Sequence, residues 1–378
     1  MTILVMPSLR CNLKCLYCFE RPVWESSASE LEANVDAIIG VVRRVVREYG
    51  GGGSVCLHGG EPLTLPIETL EYFFSAISRM GCRPSIQTNG VLITDEHIKL
   101  FRKYSVHIGV SVDGPPDIPT LRGEKKEYVA KVNENLLELR QAGVSVGVLC
   151  VLSRANATGE SLDKLCRWVE WLHNLRISGR FLTMRDFFGV SSEFELSPEE
   201  MTEAWLKLYD VMDRLGEDCN WSPFRDVMLS LQGRRRDAVC WMNECDPFAT
   251  RSCHVILPDG SETICDRAFH NGLLLRPDDC MDIRQKILAE SDCKGCRWFG
   301  DYCVGGCPLD GVDNDWRNKS KWCMAIKALF EKMSYKYPPA KPAMETQIRV
   351  EASGMVRHGD TPHGDWSNHG DSWGGGRA

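Results

Sequence analysis

Cys11-Asn-Leu-Lys-Cys15-Leu-Tyr-Cys18 places three thiols within one short stretch, and cysteines so close must wrap a single object. Three thiolates on a cubane 4Fe–4S cluster leave its fourth iron without a protein ligand. An open coordination position belongs to chemistry rather than to structural support. The other reading of the same thiols is a zinc site completed by a remote His or Cys. A second field follows in the C-terminal part, where Cys253 precedes Gly260-x4-Cys265, then Cys293-x2-Cys296-x6-Cys303-x3-Cys307 and finally Cys323. Cys307-Pro308 imitates the end of a ferredoxin motif, so an iron–sulfur electron-transfer or zinc-ribbon module without chemistry of its own is the rival from another class. A plain ferredoxin, however, does not need the long alternating region that precedes this field.

The whole chain must explain why so many thiols are present. It has 378 residues and 18 Cys, which at roughly 150 residues per domain allows two or three domains. Such a count means disulfides in a secreted protein or metal ligands in a reducing compartment. Met1 to Pro7 has no basic region, and a cysteine motif begins at Cys11, so no cleavable signal is expected and the chain is expected to be cytoplasmic. Metal ligation is the working expectation. A hydrophobic fraction of 43% with 26% charged residues is ordinary for a globular protein, and no apolar run approaches a membrane span. The formal net charge of −7 offers no basic footprint for nucleic acid.

Six β-prone runs, Thr2 to Met6, Ser54 to His58, Pro84 to Thr88, Val106 to Val112, Val144 to Leu152 and Arg180 to Met184, alternate with amphipathic helical stretches. The helical stretches run Ala28 to Arg47, Ile67 to Met80, Asp95 to Tyr104, Tyr128 to Ala142 and Gly159 to His173. This pattern reads as parallel βα units, in an open sheet or an incomplete barrel, with ligands at the carboxyl ends of the strands. A helical linker is expected over Ser197 to Gly233, opened by Ser-Pro-Glu-Glu. From Cys240 to Cys323 the chain carries ten cysteines and little periodicity, which suggests a small domain held by metal rather than by a large apolar core. The expected domains are 1–190, 191–239, 240–335 and a tail, 336–378. The end of that tail, rich in Gly, His, Asp and Trp with repeated His-Gly-Asp (His358, His363, His369), is expected to be solvated.

The first motif resembles the signature of the radical S-adenosylmethionine superfamily, Cys-x3-Cys-x-aromatic-Cys after the first barrel strand. The fold implied is α/β, a partial (β/α)6 TIM-like barrel followed by a small cysteine-rich Fe–S domain. By that resemblance Cys11, Cys15 and Cys18 hold the cluster, its open iron takes the methionine moiety, and Tyr17 lies near the adenine. Reduction of the sulfonium then releases a 5′-deoxyadenosyl radical. His58-Gly59-Gly60-Glu61-Pro62 matches the Gly-Gly-Glu motif for the methionine ammonium, and Gln87-Thr88-Asn89-Gly90 matches a strand-end motif of the peptide-modifying branch. Ser111-Val-Asp113-Gly-Pro with Arg122 matches the segment whose Ser and Arg meet the methionine carboxylate.

The C-terminal field resembles the SPASM domain of radical enzymes that modify peptides and proteins, which binds two auxiliary 4Fe–4S clusters, three clusters in all. Its central gap is six where the family has five. The resemblance assigns Cys293, Cys296, Cys303 and Cys323 to an outer cluster and Cys265 and Cys307 to an inner one. Cys240, Cys245 and Cys253 compete for the inner cluster's remaining places, Cys245 and Cys253 being preferred. Cys56, Cys82, Cys150, Cys166, Cys219 and Cys280 match no motif and are expected as small core hydrophobes. Losing an electron and a proton from a substrate radical calls for a base, and Asp266, directly after Cys265, stands where anaerobic sulfatase-maturating enzymes place theirs; a turn or salt-bridge role is the alternative.

The implied partners are a peptide or protein substrate and a flavodoxin- or ferredoxin-type electron donor. The function expected first is oxidative crosslinking or thioether formation in a ribosomally made peptide. Formylglycine formation from Cys or Ser of a sulfatase is the alternative. Ten residues precede Cys11, so no leader-binding domain is expected ahead of the barrel.

Overall fold

A computed structural model describes residues 2–20, 34–123, 126–186, 189, 191–216, 220–243, 253–263, 265–267 and 283–340. Cys219, Cys245, Cys280 and the His-Gly-Asp tail lie outside them. Strands β1 (Thr2–Ser8), β2 (Ser54–Gly59), β3 (Arg83–Thr88), β4 (His107–Ser111), β5 (Val146–Leu152) and β6 (Gly179–Thr183) are joined in sequence order by parallel pairing. Helices α1 (Val35–Glu48), α2 (Ile67–Arg79), α3 (Asp95–Lys103), α4 (Lys126–Gln141) and α5 (Gly159–Asn174) make the crossovers. The partial barrel expected from the alternation is therefore present. Among the described residues helix α1 begins at Val35, capped by the Asn34 side chain, which accepts from Ala37 N; the expected start at Ala28 lies outside them.

The pleat sends alternate side chains to opposite faces. Ile3, Val5, Val55, Leu57, Ile86, Ile108, Val110 and Val148 join the helices in one large core. The other face carries Cys56, Ser85, Gln87, Gly109 and Ser111, small and polar residues by contrast. Gln87 Nε2 donates to Ser111 Oγ across this face at 2.7 Å. A Cβ at Gly109 would lie 2.2 Å from Gln87 Oε1, so glycine there is what lets Gln87 lie across the interior.

Two features depart from the sequence expectation. The linker is two helices, α6 (Pro198–Leu215) and α7 (Phe224–Leu231). Ser197 and Glu200 form the expected capping box at the start of α6, while Gly216, at φ 95°, ends it. The cysteine-rich part is also not separate from the barrel. After the short helix α8 (Cys240–Asn243), β7 (Cys253–Ile256) adds to the sheet beside β1 in parallel, with Thr2 opposite Cys253, and β8 (Glu262–Thr263) returns antiparallel. Beyond α9 (Ile283–Glu290), helix α10 (Cys323–Ser334) packs on α6 and α7. Trp298, Trp322, Leu329 and Phe330 thereby join the main core, so this region has more apolar support than its composition suggests.

Candidate active site and auxiliary thiol sets

The loop bearing Cys11, Cys15 and Cys18 leaves the carboxyl end of β1 and is fastened to three other strand ends. From β2, Gly60 N donates to Ser8 O and Glu61 N donates to Arg10 O, at 3.1 and 2.7 Å. A Cβ at Gly59 would come within 2.6 Å of Ser8 O, and one at Gly60 within 2.2 Å of Arg10 O. The close approach these glycines permit is thus to the chain itself, where the first motif begins. Glu61 is buried, and its carboxylate accepts from Leu63 N, Thr88 Oγ1 and Asn89 N. Burial raises the Glu61 pKa, with the Asn89, Thr88 and Leu63 donors pulling the other way.

At the end of β3, Asn89 Nδ2 donates to Asn12 Oδ1 at 2.7 Å and points at Cys11 Sγ, 3.9 Å away. Leu13 N also donates to that sulfur, at 3.4 Å. At the end of β4, Tyr17 Oη donates to Asp113 Oδ2 at 2.5 Å. Arg122 Nε is 3.0 Å from Asp113 Oδ1, an ion pair in which no acceptor is aligned with the buried N–H. Leu16 N donates to Leu121 O at 2.9 Å. Ser111, expected at the methionine carboxylate, accepts from Gln87 as described.

Burial pushes the Cys11 thiol up to about 11, against the Leu13 hydrogen bond, with Cys15 adding to the rise. Cys15 is raised by burial and eased by Arg122. Three half-buried thiols from one short loop, with Leu13 N and Asn89 Nδ2 aimed at the Cys11 sulfur, are costly as bare thiolates and suit a cationic metal centre, which deprotonates them. This donor set fits an iron–sulfur cluster.

The second field divides into two places. Cys293, Cys296, Cys303 and Cys323 line one pocket with Trp298, Phe299 and Phe330. Burial drives the Cys293 thiol up to about 12, and Cys303, Cys323 and Cys296 add to it. The thiols surround a space rather than meet at a point, and among the described residues no three His, Cys, Asp or Glu side chains converge as on a single ion. Elsewhere, Cys253 is raised by burial and by Asp266, Cys265, Cys240 and Cys56, in that order. Burial lowers the Arg267 pKa, but Asp266, Cys307, Asp310 and Cys265 outweigh it and leave it raised. Cys245 is outside the described residues. Cys82, Cys150 and Cys166 are buried as expected, but Cys56 is half-buried beside the inner group.

The two ends of the barrel are thereby distinguished. Cys253 pairs with Thr2, and Ser8, at the other end of β1, leads to Cys11. Six strand residues at about 3.3 Å each separate the two levels by about 20 Å. Asp266 sits with the inner thiols, away from the first motif.

Arg284 carries no motif and escaped the sequence reading. It is 1% exposed and donates to the carbonyls of Val304, Gly305, Gly306, Trp316 and Asn318, fixing the backbone between Cys303 and Cys307. Asp113, one residue of the Ser-Val-Asp-Gly-Pro motif, gathers Tyr17, Arg122 and Val151 N with its two oxygens. Nothing local in the sequence marks either residue.

Residues 5–172 match the Radical SAM superfamily, so the chain carries a radical SAM domain. Among curated relatives, the cysteine-type anaerobic sulfatase-maturating enzyme of Clostridium perfringens (strain 13 / Type A) is 25% identical over 375 residues, covering 89% of this chain and 96% of that one. The fold is shared with solved structures. Histidine-tagged anSMEcpe with bound AdoMet has a TM-score of 0.74 at 23% identity, over 89% of this chain and 97% of that one. Streptococcus suis SuiB bound to precursor peptide SuiA has a TM-score of 0.56 at 15% identity, over 85% and 73%. No helix among the described residues is long and apolar enough to cross a membrane.

Proposed function

We propose that this protein is a cysteine-type anaerobic sulfatase maturase, converting a Cys of a sulfatase-type protein or peptide to formylglycine. The observation that carries this reading is the match to the Clostridium perfringens maturase over nearly the full length of both chains. It reverses the order expected from the sequence, which placed peptide crosslinking first. The likeness to SuiB with its precursor peptide keeps crosslinking as the second reading, and both readings take a peptide or protein substrate.

Cys11, Cys15 and Cys18 would hold the catalytic cluster, with Tyr17, Gly59, Gly60, Glu61, Ser111 and Arg122 shaping the S-adenosylmethionine site around it. A reduced cluster with bound S-adenosylmethionine supplies the 5′-deoxyadenosyl radical that takes hydrogen from the substrate's β-carbon. The polar inner face, with Gln87 and Ser111 bonded across it, orients nucleoside and substrate in the space between the two ends of the barrel. Asp266, beside Cys253 and Cys265 at the far end, would accept the thiol proton, and a cluster held by the inner thiols would supply the acceptor for the substrate's second electron. Water then replaces sulfur, which leaves as hydrogen sulfide.

Cys265, Cys307 and Cys253 belong to the inner cluster, with Cys245 as its preferred fourth ligand. Cys293, Cys296, Cys303 and Cys323 hold the outer one, and a flavodoxin- or ferredoxin-type protein delivers and removes electrons. The domain divisions at 190, 239 and 335 follow these roles, although β7 ties the third unit to the first.

The test is anaerobic reconstitution followed by reaction with a sulfatase peptide containing the target Cys. Three clusters require about 12 iron per chain. Mass spectrometry is expected to find sulfur replaced by oxygen with two hydrogens lost, and an aldehyde that reacts with hydrazide. Loss of two hydrogens with sulfur retained would give the crosslinking reading instead. Full iron without 5′-deoxyadenosine would reduce the protein to an electron carrier.

A further inference from the structure

Arg284 and Gln285 stand in the first turn of α9 and meet the turn that follows Cys303. Arg284 Nη1 and Gln285 Nε2 both donate to Val304 O, at 3.1 and 2.9 Å. The other end of the same peptide unit is Gly305 N, which donates to Cys303 Sγ at 3.4 Å. A peptide unit is planar, its C=O and N–H pointing in opposite directions, so holding the oxygen also aims the N–H. Arg284 grips the two following peptides as well, through Gly305 O and Gly306 O at 3.2 and 3.1 Å. Gly305 has a φ of 86°, and a Cβ there would collide with Leu288 Cδ1 and lie 3.5 Å from the Arg284 guanidinium nitrogens. Glycine is what lets α9 come so close. Cys303 and Gly305 line the same pocket as Cys293, Cys296 and Cys323.

We propose that Arg284, together with Gln285, is a positioning residue that aims the Gly305 N–H at the Cys303 sulfur and so raises the reduction potential of the outer cluster. The inference rests on the reading that Cys293, Cys296, Cys303 and Cys323 hold that cluster.

The physical reason is charge. The reduced cluster carries one more negative charge than the oxidised one, and hydrogen bonds to cluster sulfurs and local net charge set its potential. A donor on a ligand sulfur therefore favours the reduced form. Donors on Val304 O polarise the amide behind that donor, because hydrogen bonds in a chain strengthen one another in a low-dielectric interior. Arg284 is 1% exposed and keeps its proton, so its charge acts through the peptide with little screening. A raised potential suits this cluster to receive the electron taken from the substrate.

The test is an EPR-monitored redox titration of reconstituted full-length protein, following the reduced-cluster signal that is absent from Cys323→Ala. Arg284→Gln is expected to shift the oxidised-to-reduced ratio at a given potential at least tenfold towards the oxidised form, a fall of about 59 mV or more for one electron. Gln285→Leu removes a donor to Val304 O and leaves the guanidinium in place. It is expected to shift the ratio in the same direction by a smaller amount. If Arg284→Gln does not load the outer cluster, Gln285→Leu alone decides the matter. An unchanged potential in the variants that load iron overturns the proposal. So does a fall in Arg284→Gln with Gln285→Leu at the wild-type value, the signature of charge acting without an aimed amide. Wild-type protein with no Cys323-dependent signal would instead remove the underlying reading of the four cysteines.

Discussion

Glu61 Oε2 accepts the Asn89 backbone N–H at 2.6 Å, and this bond couples the ends of β2 and β3 directly beneath the loop that carries Cys11. The Asn89 side chain then reaches Asn12 and Cys11 Sγ. Glu61 therefore acts on the first motif through the backbone of its neighbour strand.

Glu61→Ala leaves the Leu63, Thr88 and Asn89 donors without their acceptor in a buried place. At about 1–3 kcal/mol for each buried group left unsatisfied, a loss of at least about 3 kcal/mol is expected, measured by denaturant unfolding of the iron-free protein. Iron uptake by a variant lacking the second cysteine field should fall with it. Unchanged stability would show that these donors find other partners.

The hairpin of β7 and β8, which carries Cys253 towards Cys265, is held to α1 by Glu262. Its carboxylate accepts from His254 Nε2 at 2.7 Å and pairs with Arg44. Burial raises the Glu262 pKa, but the His254 hydrogen bond and Arg44 outweigh it and leave it lowered. A lowered folded pKa means stability that is present above the ordinary Glu value, about 4.3, and lost as pH falls through the folded value. Glu262→Gln is expected to be less stable than wild type at pH 6, with the difference shrinking below about pH 4. A difference independent of pH between 6 and 3 would contradict this.

Arg284→Met removes all five donors from the carbonyls of Val304, Gly305, Gly306, Trp316 and Asn318. The expected cost is at least about 3 kcal/mol, since bonds to a charged donor are each worth about 1.5–3. Auxiliary-cluster iron should be lost before that of the first motif, because Cys303 and Cys307 border the loop that Arg284 grips. Mössbauer quantification of the clusters reads the order of loss.

Asp266→Asn is expected to abolish formylglycine while 5′-deoxyadenosine still forms, if the carboxylate takes up the substrate's proton. Normal product yield would return Asp266 to a supporting role next to Cys253 and Arg267.

The barrel was legible because its signals are local. Alternation of period two, the amphipathic helices between, and motifs at strand ends depend on residues close in sequence, so six strands and their order follow without any long-range contact. The Ser197 cap was legible for the same reason. The spacing of Cys11, Cys15 and Cys18 likewise pointed to a radical SAM domain, which the family match over residues 5–172 supports.

Tertiary structure decided what long-range pairing controls. Cys253 and Thr2 are far apart in sequence, yet their pairing adds the cysteine-rich hairpin to the barrel sheet and sets Cys253 about 20 Å along β1 from the end that leads to Cys11. Burial likewise gave Asp113 and Arg284 their importance: a charged side chain acquires its role from the hydroxyl, guanidinium or carbonyl groups that distant segments bring to it. The sequence by itself thus determined the order of the barrel strands and the division of the cysteines into two fields. Which residues grip them, and how far apart they lie, was settled by the register and packing of strands that no local pattern encodes.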